Sequence, residues 1–257
     1  MRPILIDIGI PIYAYGASLT VAFLFGAWFG AKRARAQGLD GEHVWNVATW
    51  SFIAALLGSR AFHVAFENPA LLKTPGKWLS IWQGGLVFYG GFIGAVLASI
   101  IYCRVKKLDF WRIADVVAPV IALGHGFVRI GCFLNGCCFG KPASWGVVFT
   151  AHDQIPRQPT QLYESAAGVL FFFGLLAYEK RFKKAHGELV ALYAAIYGIT
   201  RFMIEFVRAD DRGRTFAGLH ISQLIGLAGL VAGVAGFVWL RLRKSPVPSP
   251  PSPVGKK

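Results

Sequence analysis

Of the chain's 257 residues, 55% are hydrophobic and only 16% charged, and the mean hydropathy is +0.50. That apolar excess excludes an ordinary water-soluble domain, in which about a quarter of residues are charged, and predicts an all-α polytopic integral membrane protein. The formal net charge of +14 is no nucleic-acid signature, because the basic residues fall between apolar blocks and not on one soluble face.

A helix that crosses a bilayer needs about 20 mostly apolar residues. Seven stretches supply them, at 12–32, 45–66, 84–104, 114–138, 161–179, 187–208 and 218–240, separated by short runs of charge, proline or glycine. Asp7 sits in the first apolar stretch and no small-residue cleavage site follows it, so no signal peptide is expected to be removed and the first span itself drives insertion. No repeat of 20–50 residues is evident.

The loops alternate in charge. One side carries Lys32, Arg33 and Arg35, then Arg104, Lys106, Lys107 and Arg112, then Lys180, Arg181, Lys183 and Lys184, and finally Arg241, Arg243, Lys244, Lys256 and Lys257. The other side carries half as many: Arg2, Lys73, Lys77, Lys141, Arg157, Arg208, Arg212 and Arg214. Excess lysine and arginine marks the cytoplasmic side, which predicts an outside N-terminus and a cytoplasmic C-terminus. Residues 1–244 read as one seven-helix transmembrane domain. Residues 245–257, proline-rich and basic at the end, read as an extended, disordered cytoplasmic tail.

In chain order, the polar residues set inside apolar spans come next. Tyr15 opens span one, Arg60 lies in span two, and Tyr89 follows Gly84-Gly85 at the start of span three; interface tyrosine is the bland reading of Tyr15 and Tyr89. The run Gly124–Gly140 packs His125, Arg129, Asn135, three cysteines and five glycines into span four. An ionisable residue at membrane depth is a functional-site hypothesis by default, and the glycines suggest a broken helix that approaches a ligand. His125, one turn before Arg129, is a candidate base. Cys132, Cys137 and Cys138 do not have a standard zinc spacing, and buried cysteine behaves as a small apolar residue, so no metal is expected. Pro159, Thr160, Gln161 and Glu164 open span five, where capping of the first turn is the bland reading. Arg201, Glu205 and Arg208 fall at i, i+4 and i+7, which would place two guanidiniums and a carboxylate on one face of span six. Arginines from two spans predict an anionic ligand, since guanidinium grips phosphate oxygens in pairs.

Taken in order, Tyr15-Gly16, then Arg129-Ile-Gly-Cys-Phe-Leu-Asn-Gly with Gly140, then Pro159-Thr-Gln-Leu-Tyr-Glu164, then Arg201-Phe-Met-Ile-Glu205 with Arg208 resemble the bacterial prolipoprotein diacylglyceryl transferase family over about residues 9 to 240. The resemblance implies seven spans and transfer of a diacylglyceryl group from phosphatidylglycerol to the lipobox cysteine of a preprolipoprotein. It implies release of glycerol 1-phosphate at the outer face of the bacterial inner membrane, without a cofactor. It further implies Arg129, Arg201, Glu205, Tyr89 and His125 as catalytic candidates. Tyr15, Arg60, Asn135, Gly140, Gln161, Glu164 and Arg208, with Arg129 and Arg201, would contact phosphatidylglycerol. Tyr89 stands where the better-studied members have histidine, Cys132 where asparagine is usual, Cys137 where glutamate is usual, and Gln158 where histidine is usual. Two rival readings use the same residues: a paralogue with another acceptor, and a protein that binds or flips anionic lipid without chemistry.

Overall fold

The computed structural model describes residues 4–7, 11–74, 76, 78, 85–150, 152–209, 215–216 and 218–243. The tail 245–257, Lys244, Gly84 and the loop residues Arg2, Lys77, Arg212 and Arg214 lie outside the described residues. The described chain is an all-α polytopic membrane protein with seven long helices: α1 (Ala14–Ala36), α2 (Gly41–Phe62), α3 (Phe88–Val105), α4 (Phe110–Asn135), α5 (Thr160–Arg181), α6 (Glu188–Glu205) and α7 (Ile221–Leu242). Three short antiparallel hairpins lie in the connections: β1 (Ile4–Asp7) with β2 (Pro11–Tyr13), β3 (Pro142–Val148) with β4 (Pro156–Arg157), and β5 (Thr215–Phe216) with β6 (Leu219–His220). Each expected span finds its helix. Six of the helices are long and apolar enough to cross a membrane; α6 differs because Glu188, Arg201 and Glu205 lie within it.

Two ends differ from the expected boundaries. Span four stops at Asn135, not at 138, because Gly136 takes the left-handed conformation at φ +77°. Its N–H then donates to the carbonyl of Phe133 (3.1 Å) and that of Cys137 to Cys132 (3.2 Å), the paired bonds of a Schellman stop. Span six stops at Glu205, not at 208, so Arg208 leaves the helix and the expected three-residue face carries only Arg201 and Glu205.

The chain divides into two compact units, Met1–Gly30 with Ala114–Lys257, and Ala31–Ile113. In the first, α6 and α7 meet through small residues: a methyl on Gly198 would stand 2.5 Å from the carbonyl oxygen of Gly226. In lipid, where apolar surface gains nothing by leaving its solvent, such backbone-to-backbone packing holds helices together. Ala118, Ala122, Leu175 and Leu189 form a buried cluster joining α4, α5 and α6. At the start of α6 the buried Asp115 of α4 accepts hydrogen bonds from the N–H groups of Gly187 (2.8 Å), Leu189 (2.9 Å) and Val190 (3.2 Å) and pairs with Lys183 (3.0 Å). It thus serves the orphan donors of a helix N-terminus from 72 residues away. In the second unit α2 and α3 use the same close packing at Gly58 and Gly90, reinforced by the Ser51–Ser99 hydroxyl bond of 2.8 Å.

Candidate functional site

Glu164, in the second turn of α5, is the centre of the polar cluster. Its side chain is 3% exposed, and its Oε2 lies 2.8 Å from Arg129 Nη2 and 3.5 Å from His125 Nε2. Its other oxygen accepts a bond of 3.1 Å from Arg208 Nη1. His125 and Arg129 reach it together because they are one turn apart on α4; Arg129 Nε also points at His125 Nε2, at 3.5 Å. One carboxylate therefore bridges two guanidiniums that the chain supplies from α4 and from the turn after α6.

The facing wall is α6, which presents Tyr197, Arg201 and Glu205 on successive turns. Arg201 Nη1 pairs with Glu205 Oε2 at 2.9 Å. A narrow cavity runs between the helices, lined by His125, Glu164, Phe171, Tyr197, Thr200 and Arg201, and the Tyr197 ring stands edge-on to that of His125, with 5.4 Å between centroids. Tyr197 thus faces the same cavity as Glu164 and Arg201. The sequence reading passed over it, although its i, i+4 spacing from Arg201 was the available signal. Among the described residues, three guanidiniums face two carboxylates here.

Arg208 is aimed by backbone pairing. Gly140 N–H donates to the carbonyl of Gln158 (2.8 Å), Lys141 N–H to that of Val207 (2.8 Å) and Ala209 N–H to that of Phe139 (3.3 Å). The segment after α4 is thus clasped between the entry to α5 and the exit of α6. Gly140 allows it: a methyl there would meet Thr160 Cγ2 at 2.8 Å and Gln158 Cβ at 2.9 Å. The same clasp gives Thr160 and Gln161 partners other than the first turn of their own helix. Thr160 Oγ1 donates to the carbonyl of Cys138 (2.7 Å) and Gln161 Nε2 to that of Cys137 (2.6 Å), and α5 begins without a side-chain cap.

The cysteines, which spacing alone leaves scattered, come together. The sulfurs of Cys132, Cys137 and Cys138 all lie within 4.8 Å of one another, because the Schellman turn folds Cys137 back over Cys132 and Cys138 adopts a left-handed φ of +67°. Asn135 is the last residue of α4 before that turn. Tyr15 joins this side of the site: a methyl on Gly131 would stand 3.3 Å from Tyr15 Cα and 2.8 Å from the Ser18 side chain, so α1 packs directly on α4 here. Arg60 and Tyr89 belong to the other unit. Arg60, 5% exposed, donates to the carbonyl of Trp78 at 2.8 Å, and Tyr89 is half-buried in the first turn of α3.

The family model described as prolipoprotein diacylglyceryl transferase matches residues 3–239. The phosphatidylglycerol–prolipoprotein diacylglyceryl transferase of Clostridium tetani (strain Massachusetts / E88) is 36% identical over 257 residues, covering 95% of this chain and 100% of the relative. The protein of the same name from Rhodospirillum rubrum is 34% identical over 255 residues, covering 94% and 93%. That from Nitratidesulfovibrio vulgaris (strain DP4) is 38% identical over 229 residues, covering 86% and 87%.

Proposed function

Since this chain belongs to the prolipoprotein diacylglyceryl transferase family, we propose that it moves the diacylglyceryl group of phosphatidylglycerol onto the thiol of a lipobox cysteine and releases glycerol 1-phosphate. The observation that carries the reading is the gathering of Arg129, Arg201 and Arg208 about the cavity against, among the described residues, the two carboxylates of Glu164 and Glu205. A phosphodiester headgroup brings one negative charge that these guanidiniums can accept. During reaction the thiolate attacks the glyceryl carbon that bears the phosphate, the carbon–oxygen bond breaks, and its electron pair goes to the phosphate as a second negative charge. Guanidiniums already fixed in a low-dielectric cavity stabilise that growing charge more than the ground state.

Arg129 and Arg201 are the phosphate clamp and Arg208 supports it. Glu164 orients Arg129 and Arg208, and Glu205 orients Arg201. His125, which lines the cavity one turn from Arg129, takes the proton of the acceptor thiol. Tyr15, Asn135, Gly140 and Gln161 shape the wall against which the lipid lies, and Arg60 and Tyr89 are the contacts assigned to the second unit. The seven helices all cross the bilayer, with the N-terminus outside, the C-terminus in the cytoplasm and the site at the outer face of the bacterial inner membrane. The lipobox peptide of a preprolipoprotein is the partner.

The test uses purified protein in phosphatidylglycerol nanodiscs with a lipobox peptide, scored by the thioether product and by released glycerol phosphate. Arg129→Ala and Arg201→Ala should each slow transfer by about 100-fold or more, the usual loss when one charge-stabilising donor is removed. Full rates in both variants would overturn the clamp. A lipid-binding or flipping protein would retain phosphatidylglycerol and yield neither product.

A further inference from the structure

We propose that the groove between α5 and α6 at the lysine-rich end of the first unit is a second lipid site, filled by one acyl chain of an anionic phospholipid whose phosphodiester sits on Arg181. It is separate from the clamp and takes its lipid from the opposite leaflet. The groove has a volume of about 420 Å³, within the range of pockets that bury small ligands. Leu170, Gly174, Ala177 and Arg181 fall at i, i+4, i+7 and i+11 and so share one face of α5, and Leu192 and Ile196, one turn apart, face them from α6. Small residues make the hollow: a methyl on Gly174 would meet nothing within 4 Å.

The length of the groove selects its occupant. From Leu170 to Arg181 the helix rises about 16 Å at about 1.5 Å per residue, against about 15 Å for one leaflet's half of a hydrocarbon core about 30 Å thick. Leu170 is near the midpoint of α5, which runs Thr160–Arg181, so the groove opens at the charged end and stops near mid-membrane. An acyl chain stops there too, whereas a partner helix continues to the other surface. Past Leu170 the wall gives way to the narrow clamp cavity, and Phe171 lines both. Its ring stands between a lipid on the clamp and a lipid in the groove.

Charge selects the headgroup. At this end Asp115 and Glu179 both pair with Lys183, at 3.0 and 3.5 Å, and Glu188 pairs with Arg241 at 3.0 Å. Arg181 is exposed at the mouth of the groove and, among the described residues, has no carboxylate partner. Its neighbours Lys180 and Lys184 are exposed as well. Arg241 also donates to the carbonyl of Phe182 at 3.0 Å, which ties the end of α5 to α7 and fixes the rim. A guanidinium there grips two phosphate oxygens at once, and a basic pocket between helices on the cytoplasmic side of a membrane favours anionic lipid. One guanidinium without a carboxylate matches the single charge of a phosphodiester.

The experiment places the full-length protein in nanodiscs doped with a phospholipid that carries a diazirine on its acyl chain, either phosphatidylglycerol or the zwitterionic phosphatidylcholine, and maps the photolabelled residues by peptide mass spectrometry. Phosphatidylglycerol should label the α5–α6 groove about 5-fold more than phosphatidylcholine does. Arg181→Ala should abolish that preference, and Arg181→Lys should keep part of it. Gly174→Trp should block labelling of the groove by both lipids; Arg181→Ala, at an exposed position, keeps the test independent of whether the tryptophan variant folds. Lys184→Ala removes the same charge from the same end without lining the groove and should leave the preference unchanged, which separates a site from general attraction to a basic surface. Labels around His125 and Arg201 report the clamp separately, so a failed clamp leaves the groove result standing. Equal labelling by the two lipids, a preference undiminished in Arg181→Ala, or an equal loss in Lys184→Ala would each overturn the proposal.

Discussion

Glu164 carries two guanidiniums with its two oxygens, and replacing it exposes how the site is balanced. Glu164→Ala would take from Arg129 and Arg208 the carboxylate they share, and removing one partner of a buried ion pair costs about 3–5 kcal/mol. Thermal unfolding in detergent should show a loss of that order, and Glu164→Gln a smaller one, because the amide oxygen still accepts one bond. A variant as stable as wild type would mean that the arginines find other partners. That Arg129, Arg201 and Glu205 are ionisable groups set in apolar spans was readable from sequence, whereas the position of Glu164 at the opening of its helix reads on spacing alone as a capping residue. The partner of Arg208 was not readable. Helical spacing pointed Arg208 at Glu205, whereas the helix stops at Glu205 and the pairing of Gly140 with the turn after α6 swings Arg208 to Glu164. A contact between residues 44 apart leaves no periodic trace.

At the level of elements, the spans were legible because length and apolarity are the whole requirement for crossing lipid. Their ends depend on single residues. Gly136 marks the stop of α4 in a way composition foretells; the start of α6 depends on Asp115, which belongs to another helix. Asp115→Asn keeps the size of the side chain but removes the charge that pairs with Lys183 and strengthens three N–H bonds. The first turn of α6 should then fray: amide exchange at Leu189 and Val190 should accelerate about 10-fold or more, as charged hydrogen bonds worth about 1.5–3 kcal/mol are weakened. Unchanged exchange there would mean that lipid-side packing alone holds the turn. The charge of Asp153 in the connection before α5 is held differently. Arg157 donates to it at 2.6 Å, and that hydrogen bond keeps the Asp153 carboxyl below its ordinary range. A lowered carboxyl stabilises the folded turn above the unfolded pKa and loses that contribution as the pH falls through the folded one. Protection of the Ile155 amide, which bonds to Asp153, should therefore fall on acidification and not on alkalinisation once the intrinsic pH dependence of exchange is divided out.

For the molecule as a whole, the contacts of the first unit fix which connections share a side. The segments after α4 and after α6 are bonded to each other through Lys141 and Val207, so they lie at one end together with the clamp. The start of α4 and the α5–α6 connection meet at the other through Asp115 and Lys183. This agrees with the charge alternation, which assigns Lys141 and Arg157 to the lysine-poor side and Lys180, Arg181, Lys183 and Lys184 to the rich one. The proposed transfer asks for the same orientation, because a clamp facing the lysine-poor side, taken as outer, would meet a lipobox peptide as it is exported. Membrane-impermeant maleimide on intact cells checks this directly. In a chain freed of its own cysteines, Trp145→Cys, at an exposed residue of β3, should react before lysis, and Lys107→Cys, in the exposed turn after α3, only afterwards. The reverse pattern would turn the clamp towards the cytoplasm, leave the positive-inside bias violated at every loop, and require a route by which an exported peptide returns to it.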